Sequence, residues 1–210
     1  MGRIRCFLLE PLDEVFVKLR RYRSPQVPEE NACTHPGQSY HNASVYVERE
    51  PAIRDDRGYI INALDRKIAH DDPRWPTSCA CGYVFQEDDE WQCDVEQIYK
   101  RADTGEEMTL RDAPAGAMWE APWLDRLYTP QGPHNLMVKT PGGDWCVDGM
   151  AGNCTMKDDF KQQKHHCWPR RGDPPDVTVD ITAGPTCSCG AGSIQCGSYH
   201  GFLRDGYLED

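Results

Sequence analysis

Apolar and polar residues change pattern several times along the chain. Residues 3–9 alternate in part and predict a strand. Leu12 to Tyr22 carries Val15, Phe16, Val17 and Leu19, which fits a second strand or a short helix equally well. Residues 24–44 are polar and rich in Pro, Asn, Ser and Gly, the composition of a loop. Val45-Tyr46-Val47 predicts a short strand. Tyr59 to His70 places Ile60, Ile61, Leu64 and Ile68 on one face of a helix, with Pro73 and Pro76 ending it.

Beyond residue 75 the pattern shortens. Cys79 to Gly82 predicts a tight turn leading into Tyr83-Val84-Phe85, and Trp91 to Tyr99 reads as extended. Residues 112–133 are Pro-rich and carry Trp119 and Trp123, which predicts an ordered loop or a set of turns. Leu136 to Lys139 and Asp144 to Asp148 flank Thr140-Pro141-Gly142-Gly143, a hairpin signal. Val177 to Ile181 and Tyr199 to Leu203 predict two more strands. The fold class expected is α+β, with short antiparallel strands in a loop-rich chain. Residues 1–75 form an α/β portion and 76–210 a short-stranded Cys/Trp-rich portion, the two packed as one unit.

Composition sharpens this picture. Only 39% of the 210 residues are hydrophobic, with 16 Pro and 18 Gly, and the mean hydropathy is −0.71. Ordering such a chain costs much conformational entropy, so cross-links would help. The 11 Cys are the natural source. The apolar run after Arg5 is four residues, broken by Glu10 and Pro11, too short for a signal-peptide core. No stretch approaches the ~20 apolar residues of a membrane span. The expectation is a reducing cytoplasm, where Cys and His clusters more often mean metal than disulfide.

Two short echoes carry the chemistry: Ser78-Cys79-Ala80-Cys81-Gly82 and Thr186-Cys187-Ser188-Cys189-Gly190. Two thiols one residue apart, followed by Gly, can be presented from one turn but do not readily bond to each other. Each pair needs two further ligands to close a tetrahedron around zinc. The second pair has Cys196 and His200 close by in sequence. For the first pair the candidates include Cys93, Cys154, His165, His166 and Cys167, with Cys167 plus Cys154 or His165 as the favoured partners. The expected metal ligands are therefore Cys79, Cys81, Cys154, His165, Cys167, Cys187, Cys189, Cys196 and His200, holding structural Zn²⁺.

Charge and missing motifs exclude several classes. The net charge is −11, from 34 acids against 23 bases, so a basic nucleic-acid field is lacking. The basic clusters at Lys18 to Arg23 and at Arg170-Arg171 are local. There is no P-loop, no dinucleotide fingerprint, no nucleophile elbow and no His-Glu-x-x-His.

Several pieces of the chain together resemble uncharacterised proteins encoded by tailed bacteriophages. They are Cys79 to Phe85, Arg111 to Trp119, Thr140 to Trp145, Asn153-Cys154-Thr155, His165 to Trp168, Gly190 to Ile194 and Tyr199 to Leu203. The resemblance covers about residues 78–203 and implies a phage context without an activity. In that pattern the positions of Cys189 and Cys196 need not be cysteine, which leaves Cys187 and His200 as partners for the first cluster. The leading expectation is a zinc-stabilised, non-enzymatic structural or assembly protein of a phage, in the host cytoplasm or the virion, acting on a protein partner. A regulatory binding module and a zinc or cysteine hydrolase are the alternatives.

Overall fold

The computed structural model describes residues 2–23, 33–35, 39–56, 58–62, 68–152, 154, 166–180 and 192–210. The chain forms two compact units. One comprises Met1–Glu10 with Tyr99–Asp210, the other Pro11–Ile98. The boundary expected near residue 75 lies inside the second unit.

In the Pro11–Ile98 unit the framework is three long strands. β2 (Phe7–Tyr22) enters it from the other unit, β3 (Asn42–Pro51) follows, and β4 (Glu90–Arg101) leaves it. β2 and β3 pair antiparallel from Glu14↔Pro51 to Tyr22↔Asn42, with a register shift between Val17 and Lys18. β4 is the other neighbour of β2. Val15, Val17 and Leu19 are fully buried. Apolar residues two apart on one face of a pleated strand, two of them β-branched valines, account for this, and the strand alternative for Leu12 to Tyr22 prevails over the helix.

The Met1–Glu10 with Tyr99–Asp210 unit is a set of small antiparallel sheets. β1 (Ile4–Arg5), β13 (Tyr207–Glu209), β12 (Tyr199–Arg204) and β11 (Ile194–Cys196) lie side by side in that order. β6 (Ala117–Glu120), β7 (Leu136–Thr140) and β8 (Gly143–Cys146) form a meander, and the start of β2 runs parallel to β6. β5 (Glu107–Met108) pairs with the end of β4, and β9 (Arg170–Arg171) with β10 (Thr178–Val179). The Pro141-Gly142 hairpin forms where the sequence places it, with Thr140 opposite Gly143. Its core joins Met118, Leu136, Val138, Trp145, Trp168, Ile194 and Leu203.

The α+β expectation is corrected: the described residues are nearly all β and contain no α-helix. A 3-10 turn at Pro122–Leu124 is the one helical element among them. Of the helix expected over 59–70, the described residues 59–62 and 68–70 are not helical, and at 59–62 the reason is local. Asp55 accepts a hydrogen bond from the Tyr59 N–H, and Gly58 takes a left-handed φ of +82°. That turn folds Ile60 back opposite Arg54, and the Ile61 N–H donates to the Ile53 carbonyl. Residues 63–67, including Leu64, lie outside the described residues. Ala69 to Trp75 then runs as successive turns rather than as a helical stretch. The strands are also longer than expected, with 16 residues in β2 and 12 in β4.

Candidate metal centre

Cys79 and Cys81 sit on a miniature hairpin. Ser78 bridges Val84, the Cys79 N–H donates to the Tyr83 carbonyl at 2.8 Å, and the Phe85 N–H donates to Thr77 at 3.0 Å. The Gly82 N–H closes the turn on the Cys79 carbonyl, with Gly82 at φ +93°. A side chain is strained at that φ, which explains why the Cys-x-Cys unit is followed by Gly.

The turn aims backbone N–H groups at the sulfurs. Burial acts to raise the Cys79 thiol, but the N–H groups of Cys81 and Asn42 and the neighbouring thiols outweigh it, and the pKa is lowered. The Cys81 thiol is lowered chiefly by the Tyr83 N–H, against a smaller burial effect. Both sulfurs are thus prepared to be thiolates, the form that binds metal. Cys33 is held the other way: burial raises its thiol, only partly offset by the His35 N–H.

Two further ligand atoms converge on the pair. Cys33 Sγ lies 3.7 Å from Cys79 Sγ, and His41 Nδ1 lies 3.1 Å from Cys81 Sγ. The four ligand atoms all fall within 4.8 Å of one another. Tetrahedral zinc with Zn–S of ~2.3 Å has a sulfur–sulfur edge of about 3.8 Å. The Cys33–Cys79 distance matches that edge and is far longer than a disulfide bond of about 2.05 Å. A Cys33-His41-Cys79-Cys81 group that could hold a metal ion is therefore present.

Outer contacts fix the histidine. The His41 ring stacks on Tyr83 at 4.1 Å and 11°. The Tyr83 hydroxyl accepts from Arg23 at 2.5 Å and donates to Asp89 at 3.1 Å. The Arg23 N–H donates to the His41 carbonyl, so backbone and ring are both anchored. Such contacts orient the ring that presents Nδ1 to Cys81.

Cys79 and Cys81 belong to this group, with partners other than those expected. Cys154 and Cys167 lie in the apolar core of the other unit, 3% and 0% exposed, beside Cys6 and Trp168. Cys196 is in β11 with its sulfur 3.5 Å from the Asp144 carbonyl. His200 is exposed on β12, opposite Gln195. His165, Cys187 and Cys189 lie outside the described residues. Cys33 and His41 were not among the expected ligands. Their signal was the concentration of Cys33, His35 and His41 within an otherwise bland polar segment.

No protein-family model matches the chain, and neither a curated protein nor a solved structure is similar to it. No helix among the described residues is long and apolar enough to cross a membrane.

Proposed function

We propose that Cys33, His41, Cys79 and Cys81 hold one structural zinc ion, and that the chain is a non-enzymatic, zinc-stapled binding protein. The observation that carries this reading is the convergence of four ligand atoms from three separate segments of the chain. Three thiolates and one imidazole are a common structural zinc set, and soft thiolates favour zinc over the hard cations. Four protein ligands fill the tetrahedron, whereas a catalytic zinc keeps a position for water. The hydrolase alternative therefore loses its main support.

The decisive measurement is metal content of the reduced protein by native mass and elemental analysis. One zinc per chain is expected, falling to none in Cys79→Ser. Metal-free protein that folds normally in the presence of zinc would overturn the reading. The phage context rests on the resemblance described above. Recovery of the chain in purified particles is its expected outcome, and its absence from them would leave a regulatory binding module.

A further inference from the structure

The Pro11–Ile98 unit contains a cleft of 530 Å³ lined by Arg21, His70, Asp71, Phe85, Glu87 and Trp91, together with Gln86. Arg21 is its unusual member. It continues the buried series Val15, Val17 and Leu19 along β2, so an arginine stands where the pattern calls for an apolar side chain, and it is only 5% exposed. Its guanidinium lies 3.6 Å over the Trp91 ring and 5.2 Å from Phe85. One Nη donates to the Gln86 carbonyl, while the buried Nε has no acceptor among the described residues. A guanidinium stays charged even when burial lowers its pKa, so a buried donor without an acceptor is costly. The Nε itself is closed to solvent and Asp89 already acts on the guanidinium, so an anion in the cleft would add a further negative partner to the same charge.

The walls narrow the chemistry. Asp71 and Glu87 also line the cleft, so a doubly charged phosphate would meet two acids with one arginine to balance it. A singly charged, planar carboxylate suits the guanidinium fork better. Trp91 is covered by the Arg21 guanidinium and by the His70 ring stacked on it at 4.4 Å and 3°, and it is the exposed His70 ring that offers a flat surface beside the charge. We propose that this cleft binds a carboxylate carried on a flat apolar body, with Arg21 donating to the carboxylate. The inference does not depend on the identity of the metal.

The test is calorimetric titration of the full-length protein with indole-3-acetate and with its neutral amide. A parallel pair uses a short peptide ending in Phe, as free acid and as C-terminal amide. Each acid is expected to bind about tenfold or more tightly than its amide, because a charge-assisted hydrogen bond is lost in the amide. Binding by indole-3-acetate assigns a small-molecule source, and binding by the peptide acid alone assigns a chain terminus or acidic side chain. Arg21→Gln should remove the acid preference. Glu87→Gln, at an exposed position, should strengthen acid binding about threefold and leave the amides unchanged. The second variant decides the matter if the first does not fold. Equal binding of acid and amide, an acid affinity unmoved by Glu87→Gln, or no binding of either acid below about 1 mM would overturn the proposal.

Discussion

The sulfurs of Cys33 and Cys79 lie 3.7 Å apart although 46 residues separate them in the chain. Such proximity closes a long loop, and a metal bound there adds its binding free energy to folding, because the site does not exist in the unfolded chain. Replacing Cys79 by Ser should abolish zinc binding and destabilise the Pro11–Ile98 unit by about 3 kcal/mol or more. Replacing the core residue Cys167 by Ala should lower stability by about 1–2 kcal/mol through the cavity it leaves, while zinc content stays unchanged. Urea unfolding combined with metal analysis separates the two outcomes.

How far the sequence revealed this arrangement depended on the range of each signal. Cys79-Ala80-Cys81-Gly82 was legible as a metal turn because its geometry is local: Gly82 and the Cys79–Tyr83 hydrogen bond lie within five residues. The Pro141-Gly142 hairpin was legible for the same reason. The partners of the thiols were not. His41 is brought there at the start of β3, whose pairing with β2 is a long-range contact that leaves no local periodicity, and Cys33 lies 46 residues from Cys79. Cys154 and Cys167 have ligand-like spacing, and both are buried in the other unit's core, where a thiol also packs as a small apolar residue. At residues 59–62 the expected helix gives way because Asp55 and Gly58 make a turn that outweighs the apolar spacing of Ile60 and Ile61.

The cysteines should differ sharply in reactivity. Burial pushes the Cys6 thiol up to about 12, against the Arg5 charge and the Leu208 N–H, and the thiol of Cys146 up to about 11, with Asp148 adding to the effect. Both stay neutral at pH 8, whereas Cys79 and Cys81 are lowered. Iodoacetamide should therefore label Cys79 and Cys81 first in metal-free native protein, with zinc protecting them; peptide mass mapping reads the order. For stability, the raised native pKa of Cys6 means that the unfolded chain loses its proton first. Its contribution is full below the unfolded value near 8.5 and is lost as pH rises towards 12. A Cys6→Ala variant should show a flatter loss of urea resistance above pH 9.

Asp125 carries the opposite dependence. Burial acts to raise its carboxyl, but His134 at 2.6 Å and the backbone and side-chain N–H groups of Asn135 outweigh this, and the pKa is lowered. A lowered carboxyl contributes stability above its unfolded value near 3.9, and that contribution is lost as pH falls through the native value. The group is about a third exposed, so the contribution is under about 1 kcal/mol. Asp125→Asn should lower stability at pH 6 and have little effect at pH 2.5, as measured by chemical unfolding.

Lys18 and Glu96 form a largely buried ion pair in the Pro11–Ile98 unit, with side chains 11% and 19% exposed, and Tyr46 donates to the same carboxylate. Lys18→Met removes the cation from beside the Glu96 carboxylate. The expected loss is about 2–3 kcal/mol, since removing one member of a buried pair costs more than the pair contributes. The double variant Lys18→Met with Glu96→Leu should regain at least half of that loss. A double variant no more stable than the single one would show that packing around the Lys18 stem, rather than charge, sets the cost.

Two turns of the other unit nest against each other at Gly142 and Gly197. A methyl group on Gly142 would collide with the Cys196 carbonyl and approach the Tyr199 nitrogen to 2.8 Å. A methyl group on Gly197, at φ +55°, would meet the Gly142 carbonyl. In each case the nearest atom is backbone held by a strand ladder, β7–β8 on one side and β11–β12 on the other, so neither turn can retreat without breaking register. Gly142→Ala should therefore cost about 2–3 kcal/mol. Gly152→Ala is the matched control, because no described residue lies within 4 Å of the added methyl there, and its effect should stay within about 0.5 kcal/mol. Equal urea midpoints for the two variants would mean that the turns are not in contact in solution.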